Sequence, residues 1–344
     1  LPHPETSPIV PTRSTVLSTM PPAVPDDVEL TEGTFTNTQG MQLATFSWCL
    51  KPRGLLGTAP RPKGIVLLLH GYGSHTLYEW MHAPAPGEPH TKFTGTVIEG
   101  CVRDGWAVHA IDHQGHGQSE GARAYFERFT HLVDEASAYV DMLLSRERWR
   151  GLPVFLWSVS MGGATALMMA RRDPDKYAGL VLYAPMISLE QVQNQEVLPG
   201  IKNGHLKFLV HLLSAILPTV PIAKAARNTV HPKAQEEFDN DPLCWHGNVK
   251  NRLSKEFLDV SDDFLGGGLA EISTPFVTYH SEKDTFTDPY GSQRLFDLAS
   301  TDDKAYIRVG AGLDLDADIW HALACEPGHE KIREHALAWI GARK

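Results

Sequence analysis

Leu156-Trp-Ser-Val-Ser-Met-Gly-Gly163 decides how this chain is read. It continues an apolar run, Pro153–Ser158, that has strand character. It then opens a helical pattern, Met161–Arg172, which stops before Pro174. A serine on a tight strand-to-helix turn, with small residues two before and two after it, is the nucleophile elbow of an α/β sheet. Ser160 fits that position, because only Ser160 has a glycine two residues on; Ser158 occupies the place of the earlier small residue. A slightly more crowded turn is therefore expected. The plain alternative is a serine that caps the following helix. The turn would set the Met161 amide at a helix N-terminus, where it can donate to a developing oxyanion.

Outward from the elbow, the chain alternates buried strands with amphipathic helices. Gly64–His70, Trp106–Ile111, Ala178–Tyr183, Pro275–His280 and Ala305–Val309 read as strands. Phe93–Asp104, His131–Leu144, Gly291–Leu298 and Ile332–Ile340 read as helices. Continuous apolar strands between helices imply a mostly parallel sheet covered on both faces. Thr34–Leu50 reads as a hairpin turning at Gln39-Gly40. Residues 1–30, rich in Pro, Ser and Thr, read as a flexible arm. About 85 residues, 185–268, separate two successive strands, far more than a crossover needs. They hold the apolar stretch Leu206–Leu217, whose polar stripe is Lys207, His211 and Ser214. The expected organisation is a core of 31–184 and 269–344 with a helical cap at 185–268. A nearly all-round apolar helix is expected to be buried unless ligand or lipid covers it.

A serine nucleophile needs a base and an orienting acid. In this architecture they follow in the order Ser, Asp or Glu, His, each after a later strand. His321 follows the last strand and precedes the closing helix, while His329 and His335 are expected to be solvated. Asp284, directly after Pro275–His280, is the acid; Glu282 is a weaker rival, and Asp288, before Pro289, reads as a turn or cap. Asp314, Asp316 and Asp318 lie too close to His321 for the usual order. His70-Gly-Tyr-Gly73 ends the first buried strand, and the Tyr72 amide is the natural second oxyanion donor. Asp112, His113 and His116 lack the further ligand pair a metal site needs, so they read as a Gly-rich loop shaping the floor near the site.

These stretches together resemble the monoacylglycerol lipase / lysophospholipase branch of the α/β-hydrolase superfamily. The resemblance runs from about Glu32 to Ala342, through Leu69–His75, Ile111–Ser119, Ser158–Gly163, Ala184-Pro-Met186, His280–Asp284 and Trp320-His321. It implies an α/β-hydrolase fold with Ser160, Asp284 and His321 as triad and the Tyr72 and Met161 amides as oxyanion hole. It also implies an apolar acyl tunnel under the cap, which points to Leu206, Leu209, Leu213 and Leu217 as substrate-binding. The expected activity is hydrolysis of monoacylglycerol esters. Alternatives with the same triad are lysophospholipase, acyltransferase or small aromatic-ester esterase; a non-catalytic binding protein is the remaining one. Ser158, the arm and the Asp/Gly-rich loop before Trp320 depart from the family pattern.

Composition agrees. In 344 residues, 42% hydrophobic and 21% charged residues describe an ordinary globular chain. The 41 acidic against 31 basic residues give a net charge of −10, which argues against a nucleic-acid partner. The expected partners are a lipid ester and, through the cap, a membrane surface. No cofactor and no metal are expected. Cys49, Cys101, Cys244 and Cys325 form no CxxC pair and read as small buried residues; Cys325, one helical turn past His321, is the thiol placed to sense reagents. No run reaches the ~20 apolar residues of a membrane span. A cytoplasmic or peripheral membrane location is favoured, and secretion stays open.

Overall fold

The computed structural model describes residues 22–52, 60–85, 87–194, 196–198, 201–223 and 227–343. Most of the expected arm, 1–21, lies outside these residues. One eight-stranded sheet organises the core. Its strands are β1 Val28–Thr36, β2 Gln42–Leu50, β3 Ile65–Leu69, β4 Ala107–Ile111, β5 Val154–Val159, β6 Gly179–Tyr183, β7 Phe276–Ser281 and β8 Lys304–Val309, in the order β1-β2-β4-β3-β5-β6-β7-β8. β1, β2 and β4 pair antiparallel; every pairing from β4 onward is parallel. The hairpin starts at Val28, six residues earlier than its sequence suggests. β1 is an edge strand with mostly exposed side chains, so the signal in its first half is thin, resting on Val28 and Leu30 alone.

β3 to β7 are buried on both faces, which is why they read as continuous apolar runs. Alternate residues point to two separate cores. Leu67, Leu69, Leu156 and Leu182 meet α2 Phe129–Ser145 and α3 Met161–Arg172. Val66, Leu68, Trp157 and Tyr183 meet α1 Val97–Arg103 and the closing helix α8 His329–Gly341. Each fully buried Val, Leu or Ile contributes about 1.5–3 kcal/mol.

Between β6 and β7 the chain makes α4 Lys207–Ile216, α5 Pro232–Asn240 and α6 Asn251–Leu265, with short strand pairs beside them. α4 does not bury its apolar side. Phe208 is 79% exposed and Ile216 67%, and Leu209, Leu212 and Leu217 are exposed too. The polar stripe turns inward instead. His211 Nε2 lies 2.8 Å from Asp259 Oδ1, Lys207 pairs with Asp262, and Ser214 is buried. A hydrogen bond and an ion pair to α6 orient the helix, leaving its apolar face outward. No helix among the described residues is long and apolar enough to cross a membrane.

Candidate active site

Ser160 sits at the C-terminal end of the central strand β5 with φ 51° and ψ −114°, a conformation that costs a non-glycine residue about 1–3 kcal/mol. Its surroundings fix it there. Its N–H donates to Tyr183 O (2.9 Å), and its carbonyl accepts from Gly163 (2.8 Å), Ala164 (3.2 Å) and Met186 (3.0 Å). The turn leaves no room for side chains. A methyl on Gly162 would meet Leu69 O at 2.4 Å, and one on Gly163 would meet Pro185 Cβ at 2.7 Å. Ser158 is accommodated without exposure, its Oγ 3.4 Å from Val181 O.

Met161 opens α3, so its amide is one of the unpaired donors at that helix N-terminus. The His70–Gly73 loop lies against the same serine, since a methyl on Gly71 would touch Ser160 Cβ at 3.5 Å. A buried histidine holds that loop. His70 Nε2 accepts from the His113 amide (3.0 Å), which leaves Nδ1 to donate to Gly71 O (2.8 Å). Burial, with His113 and His116 nearby, keeps the His70 ring well below its ordinary pKa and therefore neutral. His113 in turn contacts Glu135 (2.8 Å), a fully buried carboxylate that also accepts from both nitrogens of Gln114 and from Asn37. Asp112 accepts from the Thr76 and Gln118 amides. The Asp112–Ser119 loop is thus a scaffold behind the His70–Gly73 loop.

Asp284 and His321 come from the loops after β7 and β8. His321 Nδ1 lies 2.6 Å from Asp284 Oδ2, so Nδ1 carries the shared proton and Nε2 keeps its lone pair. Asp284 Oδ1 accepts from the Phe286 (2.7 Å) and Thr287 (3.0 Å) amides; Oδ2 also faces Thr287 Oγ1 and His280 Nε2. Burial works to raise the Asp284 pKa, but His321 and His280 outweigh it and hold the carboxyl far below the usual carboxylate range. Burial likewise works to lower the His321 pKa. The Asp284 charge and hydrogen bond, with Glu326 and Glu79, outweigh it and raise the ring above 6.5.

Of the rivals, Glu282 is exposed and Asp288 caps α7 Pro289–Leu298 by accepting from Tyr290 N. Asp314 pairs with Arg308 and Asp318 with Lys283, while Asp316 is exposed. His329 is not solvated: it is buried, with its ring 4.8 Å from that of His82. His335 is exposed, yet its Nδ1 bonds Tyr279 Oη at 2.8 Å.

Ser160, His321 and Tyr72 line one cavity of about 130 Å³. Its wall is aromatic, with Tyr78, Phe238, Trp245, Phe286 and Trp320. Leu209, Leu213 and Leu217 do not line it; Leu209 and Leu217 stand exposed on the outward side of the insertion. The side chain of Leu206 lies outside the described residues. Two carboxylates that sequence reasoning passed over, Glu79 and Glu326, are also in the wall, both buried. Burial raises the Glu79 pKa, against the opposing pull of Ser74, the Gly71 amide and His321. Cys325 lines the cavity as well, its thiol pushed well up by burial and by Glu79 and Glu326. Among the described residues, one group places three ligand-type side chains within 4.8 Å of one another: His75, Asp241 and Cys244. Asp241 Oδ1 there already accepts from Leu243 N (2.8 Å) and faces His75 Nε2 (3.2 Å), ties that join insertion to core.

The human protein named monoglyceride lipase is 28% identical over 271 residues, 78% of this chain and 78% of that one. The monoacylglycerol lipase of Mycolicibacterium smegmatis is 23% identical over 281 residues, 81% of this chain and 88% of its own. Among solved structures, a soluble variant of monoglyceride lipase from Saccharomyces cerevisiae in complex with a substrate analog superposes with a TM-score of 0.69 at 18% identity. It covers 93% of this chain and 95% of that one, a likeness that speaks for the fold. The matching family is Hydrolase_4, described as serine aminopeptidase, S33, and the match spans residues 87–326, a range that holds Ser160, Asp284 and His321. The chain therefore belongs to this serine-hydrolase family of the α/β-hydrolase fold.

Proposed function

We propose that the protein is a serine hydrolase of lipid carboxylic esters, with monoacylglycerols as the preferred substrates. The carrying observation is the hydrogen bond from His321 to Asp284 beside a strained Ser160, with Ser160 and His321 lining one aromatic, largely apolar cavity. In this reading His321 takes the Ser160 proton through Nε2 as Oγ attacks the ester carbonyl. The Met161 and Tyr72 amides receive the oxyanion. His321, its charge balanced by Asp284, then protonates the leaving alcohol, and water enters by the same route to free the acid. No step calls for a metal or cofactor.

The cavity wall supports a neutral leaving group. No Lys or Arg is among its described residues, while Glu79 and Glu326 are. A phosphate-bearing head group would find no counter-ion there. The insertion acts as a cap, and its exposed apolar residues Phe208, Leu212, Ile216 and Leu217 offer an acyl-lipid surface a contact that owes nothing to basic charge. The aromatic wall favours one further reading, an esterase of small aromatic esters. Purified protein given monoacylglycerols, lysophosphatidylcholine and aromatic esters in parallel tests this. Fastest release of glycerol and fatty acid, abolished in Ser160→Ala, is expected. Faster turnover of lysophosphatidylcholine overturns the head-group reading, and faster turnover of the aromatic esters overturns the lipid one.

A further inference from the structure

Glu326 is fully buried, yet the scheme above does not use it. Its Oε2 accepts from the Trp320 amide at 2.5 Å. Its Oε1 accepts from the Ala322 amide at 3.1 Å and the His321 amide at 3.4 Å. One carboxylate therefore gathers three consecutive backbone amides with His321 in the middle. A further donor comes from the insertion: Asn228 Nδ2 lies 2.7 Å from Oε1. The Asn228 amide can face only one way, because its Oδ1 accepts from His231 N at 2.8 Å. His231 itself reaches across to the histidine loop, with Nε2 2.7 Å from Asp318 O and 3.8 Å from Glu326 Oε2.

A buried carboxylate that loses a donor suffers more than a neutral acceptor does, since its charge is then left under-compensated. The insertion thus ends on the same side chain that shapes the backbone of His321. Displacing the insertion must change how that charge is satisfied, and with it the field at the imidazole.

We propose that Glu326 is a positioning residue that couples the insertion to the catalytic histidine: Asn228 and His231 hold Glu326, and Glu326 sets the backbone and proton affinity of His321. This rests on His321 acting as the general base. Among the described residues, the ionisable groups around His321 are Asp284, with His280 behind it; Glu79 from the helical turn Thr76–Trp80; Glu326 and Cys325 on its own segment; Tyr72 and Tyr78 in the same cavity wall; and, behind Glu326, His231 from the insertion. Among these carboxylates, Glu326 is the one that the insertion supplies with a hydrogen-bond donor.

The test is an NMR titration of the full chain labelled with 13C-histidine, the His321 resonance being assigned by its loss in His321→Gln. Glu326→Gln removes a negative charge near the ring, so the His321 midpoint should fall by about half a unit or more, roughly a threefold change in the protonation equilibrium. Asn228→Ala takes one donor from that carboxylate, so the midpoint should rise. In the double variant the Asn228 change should add nothing further, because the charge it modulates is gone. The acid limb of kcat/KM should move with the same signs. A merely structural Glu326 would lower the rate at every pH and leave the midpoint in place. An unmoved midpoint in Glu326→Gln, or an Asn228→Ala shift that persists undiminished in the double variant, overturns the coupling. If Glu326→Gln does not fold, Asn228→Ala and His231→Ala carry the test, and unmoved midpoints in both overturn it. The titration needs no turnover. Failure of the functional reading would show as a wild-type chain that a fluorophosphonate does not label, and failure of this inference as an immobile midpoint in a chain that it does label.

Discussion

Gly162→Ala should damage catalysis far more than stability, and the elbow geometry says by how much. The added methyl would sit 2.4 Å from Leu69 O, 2.7 Å from Leu69 C and 2.8 Å from His70 O. Carbon contacts settle at about 3.5–4.0 Å, so β3 and the start of the oxyanion loop must move by about 1 Å. Overpacking of this kind costs about 1–3 kcal/mol. Replacing glycine by alanine in a helix returns about 1 kcal/mol, so the net loss is about 0–2 kcal/mol. The same displacement carries the Tyr72 amide, two residues on from His70. Misplacement by about 1 Å costs about 10²-fold, and loss of one oxyanion donor about 10²–10³-fold in kcat. The expected result is a kcat about a hundredfold lower on a soluble p-nitrophenyl ester, with a melting temperature only a few degrees down. Gly163→Ala is the control. Its methyl meets Pro185 rather than the oxyanion loop, so it should cost similar stability and much less rate. Stopped-flow acylation beside thermal denaturation measures both. A Gly162→Ala enzyme within about threefold of wild type, or a Gly163→Ala enzyme as impaired, would refute the reasoning.

The other expectations concern the triad and the outer face. Asp284→Asn should lower kcat by about 10⁴-fold while the fold persists, because the imidazole loses the partner that fixes its tautomer. The wild-type kcat/KM should rise with pH through a midpoint above 6.5, since the base must be neutral and its folded pKa is raised. For stability the signs are opposite in the two partners. The Asp284 contribution is present above its unfolded pKa of about 3.9 and is lost as pH falls through its depressed folded value. The His321 contribution is present below about 6.5 and is lost as pH rises through its raised folded value. Denaturant titrations should therefore show the largest gap between wild type and Asp284→Asn between about pH 4 and 6.5. Phe208→Asp with Ile216→Asp should weaken sedimentation with neutral phosphatidylcholine vesicles and leave turnover of a soluble ester unchanged, as both side chains point outward. Undiminished vesicle binding would remove that face from the account.

What the sequence made legible follows from burial. Strands β3 to β7 are covered on both faces, so they announce themselves as apolar runs, and the elbow is marked by residues that must be small. α4 was legible as a helix but not in its orientation. Its polar stripe turns inward because Asp259 and Asp262, about 50 residues later, meet His211 and Lys207. Nothing local encodes that meeting. The buried carboxylates were missed because backbone amides, which carry no side-chain signature, are among their main partners: Trp320, His321 and Ala322 for Glu326, Gly71 for Glu79 and Gln114 for Glu135. One had a signal: Glu135 lies beside Ala136, within the apolar stripe of α2 that holds Leu132 and Tyr139, where a carboxylate needs an explanation. Glu326 had only its place five residues past His321.

The central claim is that Ser160 is the nucleophile. Peptide mass spectrometry after labelling with a fluorophosphonate measures this directly. One adduct on Ser160 is expected, formed more slowly in His321→Ala and absent in Ser160→Ala. An adduct on Ser158 or elsewhere, or undiminished labelling of Ser160→Ala, would contradict it.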